Sequence, residues 1–135
     1  MPSIAVDAGP LVALFKGADG YHSQAVAFVA RSRYPLVTNM VVIGEVMSLL
    51  VQRFQPDFLE WTIGALEIDQ ETEGDLPRII EIMKKYTDLP ADFADASLLA
   101  MCERRGIASV ATRDRHFDIY RTSERKRLRN VFFPE

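Results

Sequence analysis

Four acidic residues lie at or close to the places where predicted strands give way to helices. They are Asp7, Glu45, Asp95 and Asp114, and only Asp114 has Lys or Arg beside it in the sequence. Carboxylates repel one another and burial disfavours their ionised form, so a chain that gathers several beside its core needs a compensating cation. Hard oxygen ligands favour Mg²⁺ or Mn²⁺, and these residues therefore predict a divalent-metal site.

Short apolar segments alternate with helical patterns along the chain, which predicts a parallel β-sheet flanked by helices. The predicted strands are residues 3–6, 36–38, 65–68 and 109–112, and residues 130–133 are a candidate fifth strand. The predicted helices are residues 10–15, 22–32, 41–54, 56–63, 72–86 and 92–105. Functional groups in such sheets collect at the carboxyl ends of the strands, so we expect the four acids to converge in space.

Local signals fix several positions within these elements. Pro10 suits the first position of its helix, and Gly106 suits the residue that closes the last helix. Glu45 and Asp95 are expected in the first turns of their helices, and Leu49 is expected to face the core. Both acids would then lie near the edge of the sheet that Asp7 and Asp114 follow.

The composition predicts one α/β domain over residues 1–135. Apolar residues make up 48% of the chain, which is enough for a core, and no apolar run approaches the ~20 residues of a membrane-spanning helix. The start of the chain lacks the basic and long apolar regions of a signal peptide. The lack of a long apolar run predicts that the protein has no membrane association. A single cysteine, Cys102, cannot form an internal disulfide, and the chain is therefore expected to be cytoplasmic.

Four ordered segments carry a resemblance to a known family. They are IAVDAGPLVAL at residues 4–14, TNMVVIGEV at residues 38–46, DFADASL at residues 92–98 and ATRDRHF at residues 111–117. Each is a weak pattern alone, but the four together, in this order and at these separations, are specific. The chain resembles the PIN-domain family and, within it, the VapC-type toxins of toxin–antitoxin pairs.

The resemblance implies a metal-dependent endoribonuclease that binds one or two Mg²⁺ or Mn²⁺ ions. The family's acidic positions fall here on Asp7, Glu45, Asp95 and Asp114, and Thr112 matches a position whose hydroxyl supports the acids. Asp7, Asp95 and Asp114 are expected to be direct or water-mediated ligands, whereas Glu45 is either a ligand or the group that positions the attacking water. The resemblance also implies an RNA substrate, a cognate antitoxin and a homodimer.

Asp92 has two interpretations that the sequence leaves open. It lies three residues before Asp95, so both side chains would share one helix face and Asp92 could be a further metal ligand. Asp also suits the N-cap of a helix that begins at this point.

Basic residues follow the acidic part of the chain. Residues 1–102 carry 14 acids and 7 bases, whereas residues 103–135 carry 9 bases and 5 acids. The stretch from Arg121 to Arg129 could contact phosphates, although such a stretch is more often a solvated surface. Arg113 and Arg115 flank Asp114 and are better placed either to bind a substrate strand or to pair with the acidic residues.

Two other functions remain as alternatives to the nuclease. The first is a non-catalytic PIN-like binding module with a structural ion and a protein partner. The second is a phosphoacceptor signalling domain, which would need an acid pair after the first strand and a Lys after the last, and neither is present. The sequence also lacks a phosphate-binding GK[ST] loop, a dinucleotide fingerprint, an HExxH motif and Cys/His zinc spacing.

Overall fold

A parallel five-stranded β-sheet lies at the centre of the protein, as the alternating pattern predicts. The computed structural model describes residues 2–89 and 91–133, so Met1, Pro90, Pro134 and Glu135 of the predicted domain lie outside the described residues. The strands are β1 (Ile4–Val6), β2 (Leu36–Asn39), β3 (Glu67–Asp69), β4 (Ser109–Ala111) and β5 (Arg129–Asn130). Their order across the sheet is β3-β2-β1-β4-β5, and Ile4 of β1 lies opposite both Leu36 and Ser109.

Helices flank the sheet and give the predicted α/β/α architecture. They are α1 (Ala8–Leu14), α2 (His22–Arg31), α3 (Met40–Leu49), α4 (Gln55–Ala65), α5 (Thr72–Lys85) and α6 (Phe93–Arg105). Two 3₁₀ turns, Gln52–Phe54 and Arg115–Asp118, complete the elements of the described residues. No helix within residues 2–89 and 91–133 has the length and hydrophobicity needed to span a lipid bilayer.

The core lies around the central strands and one buried helix. All residues of β1 and β2 are buried, as expected for strands covered on both faces of a parallel sheet. The run from Ala94 to Cys102 in α6 is also buried, so this helix packs on all sides. Gly106 ends α6 in the left-handed conformation with φ of 67°, which costs a glycine little. A rigid core therefore holds the first turn of α6 in place.

The order of the strands creates a natural position for a site. The chain moves outward from β1 through β2 to β3, and then returns to the other side of β1 to form β4 and β5. The sheet therefore has a switch point between β1 and β4, and crevices form outside the carboxyl ends of strands at such points. Asp7 directly follows β1, and Asp114 is the third residue after the end of β4, so both acids lie at this edge.

The predicted helix over residues 41–54 is wrong at its carboxyl end. The helix α3 ends at Leu49, and the chain passes through extended residues to a short 3₁₀ turn. The Gln55 side chain donates to the carbonyl oxygens of Met47 and Leu50, at 2.9 and 3.3 Å. These carbonyl groups no longer have helical partners, and the side chain that satisfies them carries no local sequence signal.

Other predicted boundaries also shift. Helix α1 begins at Ala8 rather than Pro10, because the Asp7 side chain accepts the Ala8 N–H; Pro10 still falls in the first turn, where its missing N–H has no cost. Strand β3 covers Glu67–Asp69 rather than residues 65–68, because α4 continues to Ala65. Strand β5 covers Arg129–Asn130 rather than residues 130–133.

A cluster of ion pairs joins β3, α5 and α6 away from the predicted site. The Arg104 guanidinium donates to Asp69 at 2.6 Å, to Asp75 at 2.8 and 3.0 Å and to Glu71 at 3.0 Å. Asp69 and Asp75 are buried, whereas Glu71 is exposed. Breaking a buried ion pair is costly because the remaining partner keeps an uncompensated charge.

We expect Arg104→Ala to lower the free energy of unfolding by about 3 kcal/mol, because it leaves two buried carboxylates without their main cation. Urea denaturation at pH 7 measures the change. The matched control is Glu71→Gln, which removes an exposed partner of the same Arg104 and should cost less than about 1 kcal/mol. Equal losses in the two variants would contradict this account of the cluster.

Candidate active site

A cleft of about 380 Å³ opens at the switch point of the sheet. It brings together all four predicted acids, and Asp92 joins them. The lining residues are Asp7, Ala8, Gly9, Glu45, Leu49, Asp92, Asp95, Arg113 and Asp114. Residues more than 100 positions apart in the sequence therefore share one surface depression.

Asp7 and Asp114 are linked through Thr112, which follows strand β4. The Thr112 hydroxyl donates to Asp7 Oδ2 at 2.7 Å, and its oxygen accepts the backbone N–H of Asp114 at 2.9 Å. Asp7 Oδ1 accepts the backbone N–H of Ala8 at 2.8 Å. The Asp7 carboxyl group is thus fixed by two donors at the carboxyl end of β1, where its side chain is 5% exposed.

Asp114 and Asp92 both stabilise local backbone turns. Asp114 Oδ1 accepts the backbone N–H of His116 at 2.9 Å, which forms an Asx-turn at the start of the 3₁₀ turn. Asp92 Oδ1 accepts the backbone N–H of Asp95 at 2.8 Å and caps α6. The N-cap interpretation of Asp92 is therefore correct, and its position in the cleft lining leaves its second oxygen available for the ligand interpretation.

Two expectations about α3 are wrong. Glu45 is the sixth residue of the helix and lies in its second turn rather than its first. Leu49, predicted to face the core, is 53% exposed and lines the cleft one turn beyond Glu45. Leu49 lies one turn after Glu45 and therefore shares its helix face, whereas the buried residues of α3 are Val42, Ile43 and Val46.

Burial and mutual repulsion raise the pKa values of three of these carboxyl groups. Burial, opposed by the bonds from Thr112 and Ala8, raises the pKa of Asp7 to about 6, and the charges of Asp114 and Asp92 add to the rise. Burial and the charges of Asp7, Asp92 and Asp114 raise the pKa of Glu45 to about 7. The pKa of Asp95 is also raised, first by burial and then by the neighbouring acids, Asp7 foremost.

Arg113 supplies a positive charge to the wall of the cleft. Its guanidinium pairs with Asp19 at 3.0 Å and lies 4.1 Å from the ring centroid of Tyr21, which is a cation–π distance. Its aliphatic stem crosses Gly9, where an added Cβ would lie 3.0 Å from Arg113 Cδ. Gly9 therefore leaves space for this side chain, and Arg113 stays beside the acids without an ion pair to them.

The other predicted basic groups do not line this cleft. Arg115, predicted to bind substrate with Arg113, is exposed outside the cleft lining. In the predicted basic stretch, the Arg121 guanidinium donates to the carbonyl oxygens of Asp118, Ile119 and Tyr120. Of the two arginines that flank Asp114, only Arg113 therefore reaches the site.

Two residues near the cleft are absent from the sequence-based prediction. Asp19 comes from the loop between α1 and α2, and nothing in its local sequence indicates that it pairs with Arg113. Tyr120 is a buried residue whose hydroxyl donates to Asp95 Oδ2 at 3.5 Å. Tyr120 lies two residues beyond the 3₁₀ turn, which ends at Asp118, and no local sequence pattern assigns it to the cleft.

The donor set of the cleft fits a hard divalent cation. Carboxylate oxygens are the ligands that Mg²⁺ and Mn²⁺ prefer. The ion pairs between described residues involve none of Asp7, Glu45, Asp92 and Asp95, so arginine or lysine does not neutralise them there. In residues 2–89 and 91–133, no three His, Cys, Asp or Glu side chains stand close enough together to hold an ion. Binding would therefore require these side chains to rotate toward each other.

Comparison with known protein families identifies this arrangement. A family model described as the PIN domain matches residues 4–122, which include all the acids of the cleft. The chain belongs to the PIN-domain family. The match confirms the resemblance carried by the four segments, and the switch-point cleft of this PIN domain lies entirely within the matched residues.

The PIN domain is also similar to a solved structure. The crystal structure of VapC20 from Mycobacterium tuberculosis, described as a sarcin–ricin loop cleaving toxin, aligns with a TM-score of 0.77 and 21% sequence identity. The alignment covers 83% of this chain and 90% of VapC20. At this identity the likeness shows a shared fold. The comparison with curated protein sequences found no relative of the chain.

We expect the metal-free PIN domain to lose stability as the pH rises from 5 to 8. Asp7 and Glu45 have folded-state pKa values of about 6 and 7, above the ordinary values of 3.8 and 4.5. The folded state therefore holds more protons than the unfolded state in this range, and its stability falls as those protons are lost. Urea denaturation in EDTA at several pH values measures the slope.

The control for this prediction is Asp7→Asn, which cannot ionise and also removes a repulsive charge from Glu45. Its stability should fall less steeply between pH 5 and 8 than that of the wild-type protein. A wild-type stability that is constant or rises over this range would show that the pKa values of Asp7 and Glu45 are not raised in the folded state.

Proposed function

We propose that this PIN domain is a metal-dependent endoribonuclease of the VapC toxin type. The observation that carries the proposal is the cleft of five carboxylates, Asp7, Glu45, Asp92, Asp95 and Asp114, at the switch point of the sheet. The raised pKa values of Asp7, Glu45 and Asp95 support a site that binds cations. Among the described residues, the ion pairs of the cleft acids include no arginine or lysine. The similarity in fold to VapC20, a toxin that cleaves RNA, supports the choice of RNA as substrate.

The acids are proposed to hold the cation. Asp7, Asp95 and Asp114 would supply direct or water-mediated ligands, with Asp92 as a further candidate through its second oxygen. A bound Mg²⁺ or Mn²⁺ supplies a water of lowered pKa and stabilises charge on the phosphodiester. Thr112 holds Asp7 and the Asp114 backbone in a fixed relation, and so keeps two of these groups in position.

Glu45 is proposed either to bind the cation or to position the attacking water. The pKa of about 7 suits a group that exchanges a proton near neutral pH, because acid–base catalysis works best when the pKa lies close to the working pH. Its half-buried side chain lies on α3, whereas the other acids come from the strand ends and α6. Glu45 therefore approaches a substrate phosphate from a different wall of the cleft.

Arg113 is proposed to bind a phosphate of the RNA next to the cleaved bond. A polyanion would be repelled by five carboxylates, so a cation on the cleft wall favours its approach. Asp19 and Tyr21 already hold the guanidinium in place, so the side chain loses little conformational freedom when the RNA binds.

The proposal extends to partners that fit this toxin type. We propose a cognate antitoxin, a homodimer and a cytoplasmic location. Large exposed apolar side chains support protein contacts: Ile63 and Leu59 on α4, and Ile80 and Leu76 on α5, with Ile63 85% exposed. On the other side of α4, Phe58 is buried and the partly buried Trp61 packs against Phe15, so neither contributes to this exposed surface.

The alternative of a non-catalytic binding module rests on the same acids. It would bind an ion and a protein partner, but purified protein would cleave no RNA. A cleavage assay without any partner protein therefore distinguishes the two functions.

We expect Asp7→Asn and Asp95→Asn to lower the rate of RNA cleavage at least about a hundredfold, because loss of a residue that merely orients a metal ligand already costs ~10–100-fold. Mapping of new RNA 5′ ends, with purified protein and with cells that express it, measures the effect. EDTA should abolish cleavage and Mn²⁺ or Mg²⁺ should restore it. The matched control is Asp57→Asn on the exposed face of α4, which should cleave like wild type. Full activity of the Asp7 or Asp95 variant would rule out the proposed site.

We expect Arg113→Ala to weaken binding of single-stranded RNA and to lower the salt dependence of binding by about 0.7 in the slope of log K against log salt, the value for one lost phosphate contact. Binding is measured in an Asp95→Asn background, so that cleavage does not interfere. Arg115→Ala should leave the slope unchanged. A lower salt dependence in Arg115→Ala, with an unchanged one in Arg113→Ala, would assign the phosphate contact to Arg115.

A further inference from the structure

Asp95 differs from Asp7 in how its carboxyl group is held. Asp7 receives hydrogen bonds from the Ala8 backbone and from the Thr112 hydroxyl, at 2.8 and 2.7 Å. Within the described part of the chain, the Asp95 carboxyl group receives one hydrogen bond, from the Tyr120 hydroxyl to Oδ2 at 3.5 Å. Asp95 is 8% exposed, so solvent offers few replacements for this donor.

The Tyr120 ring is fixed by its surroundings. It is 1% exposed, and the rings of Tyr86 and Phe117 lie 5.0 and 5.1 Å from it, between centroids. Its backbone N–H donates to the carbonyl oxygen of His116 at 3.1 Å. A ring packed in this way leaves its hydroxyl little freedom to turn away from Asp95.

Packing alone does not account for a tyrosine at this position. A phenylalanine ring would fill the same space against Tyr86 and Phe117 without placing a polar atom beside the acids. A buried hydroxyl needs a partner, and the one that the described residues give it is Asp95. The hydroxyl is also a neutral donor, so it orients the carboxylate without neutralising it, as an arginine or lysine would.

We propose that Tyr120 is a positioning residue whose hydroxyl orients the Asp95 carboxylate for binding a divalent cation. This inference rests on the proposed function, because it assumes that Asp95 is a metal ligand. The segment after β4 would then contribute twice to the site. Asp114 lies at the start of its 3₁₀ turn, and Tyr120, which follows the turn, lies against Asp95 of α6. Groups that orient metal ligands typically change metal affinity by ~10–100-fold when they are removed.

The experiment compares Tyr120→Phe with Tyr86→Phe in Mn²⁺ binding without RNA. The control is closely matched, because both variants delete one phenol oxygen from adjoining rings. The Tyr86 hydroxyl accepts a hydrogen bond from the backbone N–H of Arg121 at 2.9 Å, whereas the hydrogen bond to Asp95 comes from Tyr120. Isothermal titration calorimetry gives the dissociation constant for Mn²⁺, and a thermal melt in EDTA gives the stability of each variant.

We expect Tyr120→Phe to raise the Mn²⁺ dissociation constant about tenfold while its melting temperature stays close to wild type. Tyr86→Phe should lower the melting temperature and leave the dissociation constant unchanged. Wild-type Mn²⁺ affinity in Tyr120→Phe, or an equal loss in Tyr86→Phe, would overturn the positioning role. Asp95→Asn serves as the reference: if wild type and Asp95→Asn bind Mn²⁺ equally, the proposed function itself fails, which is a different result from a silent Tyr120→Phe.

Discussion

The burial of several carboxylates close together beside the core is the constraint on which this structure depends, because burial and then mutual repulsion disfavour their ionised forms. Asp7 and Asp95 are buried at one sheet edge, and burial with neighbouring acids raises the pKa values of both. Such a cluster opposes folding when its members are ionised, so the rest of the protein has to hold it together. The fully buried strands β1 and β2 and the enclosed helix α6 fix the backbone from which these acids project.

The protein stabilises buried acids in two different ways. At the junction of β3, α5 and α6, Arg104 and Arg105 neutralise Asp69, and Arg104 also pairs with Asp75. In the cleft, Asp7 receives neutral donors and makes no such pair with a described Lys or Arg. A neutral donor orients a carboxylate but leaves its charge available to a cation from solution. The contrast within one chain is therefore the strongest physical argument that the cleft acids serve binding, whereas the acids around Arg104 serve stability.

The sequence predicts the parts of this fold that depend on local patterns. Apolar strands followed by helix signals give the parallel sheet, and strand ends place Asp7 and Asp114 at one edge. The end of α3 cannot be read locally, because Gln55 satisfies its last carbonyl groups from beyond the helix. The local sequence predicts neither the pairing of Arg113 with Asp19 nor the contact of Tyr120 with Asp95, because each contact joins segments that are far apart in the chain.

The position of Arg113 shows how a cation can lie beside an acid cluster without neutralising it. A free arginine at this point would gain most by pairing with the cleft carboxylates, and their charge would then no longer be available to a cation from solution. Asp19 and the ring of Tyr21 hold the guanidinium instead, and Gly9 gives its stem a path across the first turn of α1. A Cβ at Gly9 would lie 3.0 Å from Arg113 Cδ, which is tight enough that the stem would have to shift. The absence of a side chain at Gly9 therefore helps to keep the acids of the cleft available.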